Sequence, residues 1–330
     1  MSKVSQQIRE IDGVTADRVI EQIALETEPV VFRGLASDWP LVRESRESVR
    51  DVRRFLLRYY RDAPVRAFVI DAENGGRVFY SDDFSETNFK QIRTGLDWVL
   101  AQIDERKDDP GAPTVYMGST ELDSCLPGLR EKNSLPLGDK RATVRIWLGN
   151  RTTVAAHYDA LENIACVCAG RRRFTLFPPN QLANLYVGPI DFTPAGQAIS
   201  LVDLHDPDFE KYPRFAEALE HAQTAELEPG DAVYIPGMWW HHVESLESLN
   251  ILINHWWKES PAYMGAPGDA LLHAILCIRD LPEEQRNAWR VFFEHYIFDA
   301  DSQTAHHIPA AKQGALGGLD ERLPKKFVQC

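Results

Sequence analysis

The stretch from residue 114 to residue 257 restricts the fold of this chain more than any other part of the sequence. It contains short runs rich in β-branched and aromatic residues, with proline and glycine between them. The runs cover residues 114–118, 143–148, 164–168, 173–177, 232–235 and 250–257. Many short strands separated by turn residues are typical of a β-sandwich or a β-barrel. We therefore predict a mainly β core with flanking helices.

Helical patterns lie on both sides of this core. On the N-terminal side, apolar residues recur at helical spacing over 15–26, 47–61 and 88–105, and a short strand is expected over 29–34. Within the core, the Asp- and Pro-rich residues 203–215 predict a long surface insertion. We divide the chain into a flanking N-terminal segment, the β core and a C-terminal helical segment, which cover 1–113, 114–260 and 261–330.

The C-terminal segment contains two predicted helices. One covers residues 270–279, and the other begins at Pro282, where a first-turn proline is tolerated. The second helix carries an apolar stripe that consists of Trp289, Phe292, Phe293, Tyr296 and Ile297. The stripe can pack on the chain's own barrel or against the same helices of a second subunit. We favour the second arrangement and predict a homodimer.

The charge balance of the sequence disfavours two classes of partner. The 330 residues include 36 Lys and Arg against 49 Asp and Glu, which gives a formal net charge of -13. Such a chain lacks the overall basic character of nucleic-acid-binding proteins, and anionic membrane surfaces repel it. We therefore expect no nucleic-acid and no membrane partner, whereas a basic protein or peptide partner is compatible with the charge.

The five cysteines indicate a reducing compartment. Their number is odd and no CxxC pair occurs, which favours reduced thiols over a disulfide framework. The first residues contain no apolar signal segment, and no apolar run approaches the length of a membrane span. We therefore expect a cytoplasmic protein.

The residues His157, Tyr158 and Asp159 give the first indication of a metal site. In a strand, residues two apart face the same side, so the histidine and the aspartate point together. A third donor, His241, follows two tryptophans in a later predicted strand. Two imidazoles and one carboxylate leave three coordination positions open, as in non-haem iron(II) oxygenases. The same donors also suit zinc or manganese, so spacing alone leaves the metal open.

Several motifs then make a family resemblance specific. They are AHYD at 156–159, GRRRF at 170–174, LFPP at 176–179, PGDAVYIP at 229–236 and WWHHVES at 239–245. With them, the sequence resembles the Jumonji-C, cupin-like family of iron(II)- and 2-oxoglutarate-dependent oxygenases. Within that family, the insertion that contains DPDF at 206–209 is similar to that of the asparaginyl hydroxylase acting on hypoxia-inducible factor.

The resemblance implies a fold and a metal site. The fold is a double-stranded β-helix, the jelly-roll of cupins, and iron(II) is held by His157, Asp159 and His241. In the family, the distal iron histidine directly follows two aromatic residues. This position selects His241 over its neighbour His242, to which we assign a structural role.

The resemblance also implies where the cosubstrate 2-oxoglutarate binds. Arg172 stands where the family has a lysine for the distal carboxylate, and its guanidinium can bind that carboxylate through two parallel hydrogen bonds. Tyr116 matches a tyrosine that hydrogen-bonds the same group, and Asn163 and Asn254 match two asparagines that line the pocket. Val154 replaces a threonine that contacts the cosubstrate, so we do not expect that contact here.

The implied reaction is hydroxylation of a C–H bond with iron(II), 2-oxoglutarate and dioxygen, and we expect it on a protein or peptide side chain. Two alternatives stay open. One is the same chemistry on a small molecule, for which the pocket should be enclosed rather than an open groove. The other is a cupin-fold metal-binding protein without catalysis, which would form no succinate from 2-oxoglutarate.

Overall fold

A computed structural model describes residues 4, 6–107, 109, 111–194, 196–261 and 263–317. The chain divides into two compact units, Met1–Glu259 and Ser260–Cys330. The part of the predicted C-terminal segment that covers residues 318–330, with Cys330, lies outside the described residues. None of the helices within the described ranges is long and apolar enough to span a membrane.

The strands all belong to the first unit. Their bounds, in chain order, are β1 (Gln6–Gln7), β2 (Arg9–Ile11), β3 (Val30–Phe32), β4 (Val65–Ile70), β5 (Arg77–Val78), β6 (Phe89–Thr94), β7 (Thr114–Glu121), β8 (Thr143–Gly149), β9 (Thr153–Tyr158), β10 (Glu162–Ala169), β11 (Arg172–Phe177), β12 (Gln223–Leu227), β13 (Ala232–Ile235), β14 (Trp240–Ser245) and β15 (Asn250–Trp257). The prediction of a mainly β core is confirmed.

These strands form two sheets in the described part of the chain. One sheet has six strands in the order β1-β12-β11-β14-β9-β5, and the other has nine in the order β2-β3-β13-β10-β15-β8-β7-β4-β6. The long strands pair antiparallel, while the short strands β1, β2 and β5 pair parallel. The N-terminal strands thus extend the same two sheets as the later ones.

The helices are short and mostly amphipathic. Their bounds are α1 (Val19–Ile23), α2 (Pro40–Glu47), α3 (Val49–Tyr59), α4 (Leu96–Arg106), α5 (Leu122–Cys125), α6 (Phe215–Glu220), α7 (Pro267–Ile278) and α8 (Glu283–Phe293). Local sequence explains the start of α3, because the Ser48 side chain accepts a hydrogen bond from the Asp51 N–H at 3.2 Å.

Two apolar layers follow from strand alternation. Side chains such as Val167 and Phe174 point between the sheets and form one buried cluster. On the other face of the nine-stranded sheet, Cys166 and Cys168 belong to a larger cluster that includes residues of α1 to α5. The two cysteines are therefore buried core residues that face away from the space between the two sheets.

One helix prediction is wrong. Residues 89–94 form β6 instead of the first part of a helix over 88–105, and α4 begins only at Leu96. The strand pairs along its whole length with β4, and the rings of Phe68 and Phe89 stack at 4.5 Å between centroids. Phe89 and Ile92 happen to lie at helical spacing with residues of α4, so the periodicity concealed the break.

The predicted insertion and the C-terminal helices appear as irregular structure and as a helical pair, respectively. Residues 203–214 form bends and turns before α6 begins. In the second unit, α7 and α8 are followed by a π-helical turn over Glu294–Phe298. This unit exposes large apolar side chains, among them Leu271, Leu272, Leu276, Trp289, Val291, Phe292, Tyr296, Ile297 and Phe298.

Candidate metal centre

Two neighbouring strands bring the predicted histidines together. β9 and β14 pair antiparallel with His157 directly opposite His241, and the centroids of the two rings lie 4.1 Å apart. Asp159 follows the last residue of β9, and its Oδ2 lies 3.6 Å from Nε2 of His241. One donor atom from each of the three side chains lies within 4.8 Å of the others. The structure therefore places the three residues close enough to share one ion.

The backbone sets the tautomer of both histidines. Nδ1 of His157 lies 2.9 Å from the Ala155 carbonyl, and Nδ1 of His241 lies 3.1 Å from the Trp239 carbonyl. A carbonyl oxygen can only accept, so each Nδ1 carries the proton and donates it. Each Nε2 then keeps its lone pair for a metal, which is the usual arrangement around histidine ligands.

Burial keeps His241 in the form that binds metals. Desolvation lowers the pKa of its imidazole to about 4, and the nearby imidazole of His157 acts in the same direction. Neutral imidazole is the ligating form, so His241 needs no deprotonation at neutral pH. Two imidazoles and a carboxylate fit iron(II) and leave coordination positions for a bidentate cosubstrate and dioxygen.

The triad forms part of the wall of a cavity of about 670 Å³ between the sheets. The six-stranded sheet contributes His157, Arg172 and His241 to the lining, while the nine-stranded sheet contributes Tyr116, Asn163 and Asn254. The cavity thus brings together all seven residues proposed from the sequence, including Asp159. Val154 also lines the cavity. It lies three residues before His157, and the β-bulge between β9 and β14 allows both side chains to face the same side.

Arg172 supplies a buried positive charge to the cavity. Its side chain is 3% exposed, and Nε and Nη2 have no hydrogen-bond partner among the described residues. Burial lowers the pKa of its guanidinium, and burial raises the pKa of the nearby Tyr116 phenol to about 12. Unpaired buried donors are rare in native proteins. A neutral phenol beside an unpaired guanidinium fits the distal carboxylate of 2-oxoglutarate.

Asn254 belongs to a buried hydrogen-bond network. Its Nδ2 donates to Oδ1 of Asn163 at 3.2 Å, and its Oδ1 accepts from Nε1 of Trp147 at 2.9 Å. Trp147 also lines the cavity, yet we did not predict it as a site residue. Alternation along β8 was the available signal, because Arg145 and Trp147 share one face and both line the cavity.

The mouth of the cavity contains residues that no motif indicated. Exposed side chains line it from β4, from β6 and from the end of β7, and they include Arg66, Gln91 and Glu121. These residues lie far from the metal motifs in the sequence, and nothing in their spacing points to a site. His242, in contrast, lies next to His241 on β14 and does not line the cavity.

Comparison with known proteins bears on these observations. The sequence matches the family described as "Cupin-like domain" over residues 16–263. It is 27% identical to tRNA wybutosine-synthesizing protein 5 of Gallus gallus over 318 residues, which covers 85% of this chain and 91% of the relative. It is 28% identical to lysine-specific demethylase JMJ31 of Arabidopsis thaliana, over 76% of this chain and 49% of the relative.

A third relative is the Jumonji C domain-containing protein 5 of Drosophila melanogaster. Its sequence is 30% identical over 192 residues, which covers 56% of this chain and 45% of the relative. The chain therefore spans about half of the two Jumonji relatives and nearly all of the tRNA-modifying one. The predicted cupin-type core and the wider family resemblance are confirmed, while the narrower likeness to the asparaginyl hydroxylase stays a prediction.

Proposed function

Because this chain belongs to the cupin-like domain family, whose Jumonji-C members are iron(II)- and 2-oxoglutarate-dependent oxygenases, we propose that it hydroxylates a C–H bond on a protein or peptide side chain. One observation carries the proposal. Two imidazoles and a carboxylate converge in the wall of a cavity that also contains the buried guanidinium of Arg172, whose Nε and Nη2 have no hydrogen-bond partner among the described residues. A metal-binding protein without 2-oxoglutarate chemistry has no need of that buried charge.

Each residue has a defined role in this proposal. His157, Asp159 and His241 hold iron(II), with the Nδ1–H groups of the histidines fixed on backbone carbonyls. Arg172 and Tyr116 bind the distal carboxylate of 2-oxoglutarate and so orient its 2-oxo acid end towards the metal. When bound, the iron supplies the oxidative decarboxylation of 2-oxoglutarate and the oxidation of the substrate C–H bond.

The Asn254 network fixes the wall opposite the triad. Because Asn254 bonds both Asn163 and Trp147, three side chains of the nine-stranded sheet are held in one arrangement. Trp147 and Trp256 meet edge to face at 5.8 Å between centroids and add an apolar surface to the same wall. These residues limit the space beside the metal in which a C–H bond can be placed.

The mouth of the cavity supports a peptide as the substrate. Exposed residues from several separate segments border it, and they carry both charges and amides. An extended chain can lie across such a mouth with one side chain directed to the metal, whereas an enclosed cavity would suit a small molecule. The acidic surface of the whole protein further favours a basic peptide.

The test measures succinate and substrate mass with the full-length chain. With iron(II), ascorbate and 2-oxoglutarate, we expect succinate, and we expect peptides from a basic peptide library to gain the mass of one oxygen atom. Asp159→Ala should abolish both products, while the matched control Asp139→Ala, in an exposed turn, should retain them. Absence of succinate from iron-loaded wild-type protein would favour the non-catalytic alternative. Zinc- or manganese-dependent activity without iron would contradict the metal assignment.

A second candidate substrate is tRNA. The relative that this chain covers to 91% is named as a tRNA wybutosine-synthesizing protein. The net charge of -13 opposes binding to a polyanion, so we rank tRNA below a peptide. Total tRNA added in place of the peptide library separates the candidates, since only the true substrate should gain oxygen.

Two finer proposals concern assembly and compartment. The exposed apolar side chains of α7 and α8 support a homodimer through the C-terminal helices. Light scattering would test this by comparing the mass of the full wild-type chain with that of the Leu276→Asp variant.

The thiols of four cysteines are free, which supports the cytoplasm as the compartment; they are Cys125, Cys166, Cys168 and Cys277. Fractionation of cells that express the chain would test the second proposal.

A further inference from the structure

A second cluster of metal-binding side chains lies on the outer side of β14. Along this strand, His241 and Val243 line the cavity, while His242 and Glu244 alternate with them and do not. His205, from the irregular insertion over residues 203–214, reaches the same place. Its Nε2 lies 3.1 Å from Oε1 of Glu244. Two imidazoles and one carboxylate therefore meet outside the cavity.

His242 has no partner for a buried nitrogen. The residue is 4% exposed, and its Nε2 makes no hydrogen bond to any described residue. A buried polar nitrogen without a partner is costly, and in native structures it often marks an ion or a water. One donor atom of His242 lies within 4.8 Å of donor atoms of His205 and Glu244, so the unpartnered side chain belongs to the cluster.

The spacing of the cluster suits a small divalent ion. Zinc–nitrogen and zinc–oxygen bonds of about 2.0–2.2 Å place neighbouring donors of a tetrahedral site about 3.3 Å apart. Nε2 of His205 and Oε1 of Glu244 already lie 3.1 Å apart, and one donor atom from each of the three side chains lies within 4.8 Å of the others. The iron triad meets the same limit of 4.8 Å. Because the side chain of His205 is 43% exposed, an ion can enter from solvent and retain water.

The carboxylate of Glu244 is only partly neutralised by neighbouring side chains, so it can bind a cation. Arg173 approaches Glu244 at 3.4 Å, but the same guanidinium lies closer to Glu226, at 2.6 Å. Glu244 is thus a buried carboxylate that shares its only close arginine, among the described residues, with another acid. On the other side, Oδ1 of Asp203 accepts a hydrogen bond from the His205 N–H at 2.9 Å, which orients the insertion.

We propose that His205, His242 and Glu244 bind a second divalent cation of the zinc class, with water in the remaining coordination position. The ion satisfies the unpartnered nitrogen of His242 and the shared carboxylate of Glu244. It links the irregular insertion to the strand that carries the iron ligand His241. The site uses none of the iron triad, so it stands or fails independently of the proposed oxygenase.

Metal content of tag-free, full-length protein tests this site. The protein is stripped with a chelator, loaded with zinc, desalted and measured by mass spectrometry of the metal. We expect about two zinc ions per wild-type chain and about one in the His157→Ala/Asp159→Ala variant, because zinc also fills the empty triad. Adding His205→Ala to that double variant should remove the last ion, and adding His221→Ala, a matched exposed histidine, should not.

A stability measurement on the same proteins gives a second readout. Zinc should raise the melting temperature of the double variant, and His205→Ala should abolish that shift. Equal melting temperatures without metal would show that His205→Ala leaves the fold intact, as its exposure leads us to expect. Glu244→Gln, which keeps the shape of the side chain, should also lose the ion. The proposal is overturned if the double variant binds no zinc, or if it binds the same amount with and without His205.

Discussion

Replacement of Arg172 by alanine should weaken 2-oxoglutarate binding strongly. The guanidinium is 3% exposed, and its Nε and Nη2 lack partners among the described residues, so both are available to the distal carboxylate. A hydrogen bond between charged groups contributes about 1.5–3 kcal/mol. Two such bonds from one guanidinium to one carboxylate are not independent, so we take about 3 kcal/mol for the pair. Since about 1.4 kcal/mol is a factor of ten, KM for 2-oxoglutarate should rise about 150-fold.

Without 2-oxoglutarate, replacement of Arg172 should not lower the free energy of unfolding. Burial lowers the pKa of the Arg172 guanidinium because desolvation disfavours its charged form, and no carboxylate pairs with it among the described residues. We therefore expect Arg172→Met, which keeps much of the volume, to be at least as stable as wild type in urea without 2-oxoglutarate. With iron(II) under anaerobic conditions, 2-oxoglutarate at about 100 times Kd should stabilise wild type by about 2.7 kcal/mol. The variant should gain far less.

Neighbouring arginines provide the control. Arg171 is half-exposed and pairs with Glu226 and Glu247, so Arg171→Ala should leave KM for 2-oxoglutarate unchanged. Arg172→Lys keeps the charge but loses the two parallel hydrogen bonds, and its KM should lie between those of wild type and Arg172→Ala. If Arg172→Ala raised KM no more than Arg171→Ala does, the assignment of the carboxylate site would be refuted.

Three further predictions concern the cavity wall and the thiols. Asn254→Ala removes the partner of Trp147 and of Asn163, so the free energy of unfolding in urea should fall by about 1–3 kcal/mol; an unchanged value would contradict the network. The pKa of Tyr116 is raised to about 12, so its neutral phenol stabilises the fold fully below pH 10 and loses that contribution as the pH rises to 12. Tyr116→Phe should lack this alkaline loss of about 2–3 kcal/mol, measured as the difference in unfolding free energy between wild type and variant over that range. In a Cys330→Ser background, a thiol reagent should modify Cys277 quickly and should reach the others only on unfolding, since burial raises their pKa values; they are Cys125, Cys166 and Cys168.

The core strands could be predicted from the sequence because their local pattern and their final environment agree. The run at 232–235 became β13 with the same bounds, and the run at 250–257 became β15. Residues 89–94 failed for the opposite reason. These residues pair with β4, which lies about 20 to 30 residues earlier in the sequence. That long-range pairing decides the structure, although the local apolar spacing is also compatible with a helix.

The candidate site shows a similar division. His157, Asp159 and His241 could be proposed because strand alternation and the family motifs point to the same three residues. Trp147 was missed although alternation along β8 places it on one face with Arg145, and the residues of the mouth gave no signal, because only the arrangement of β4, β6 and β7 brings them to the cavity. The cluster around His242 was also missed. Its partner His205 comes from an insertion whose position relative to β14 has no signature in sequence spacing.

The hydrogen bonds that orient the two iron histidines have a consequence for engineering. Both acceptors are main-chain carbonyls, at Ala155 and Trp239, rather than side chains. Ligand orientation is therefore encoded by the path of two strands, and no single codon change deletes an acceptor. Residues around the cavity mouth can accordingly be varied to select for new substrates, because these substitutions leave the backbone acceptors of both histidines in place.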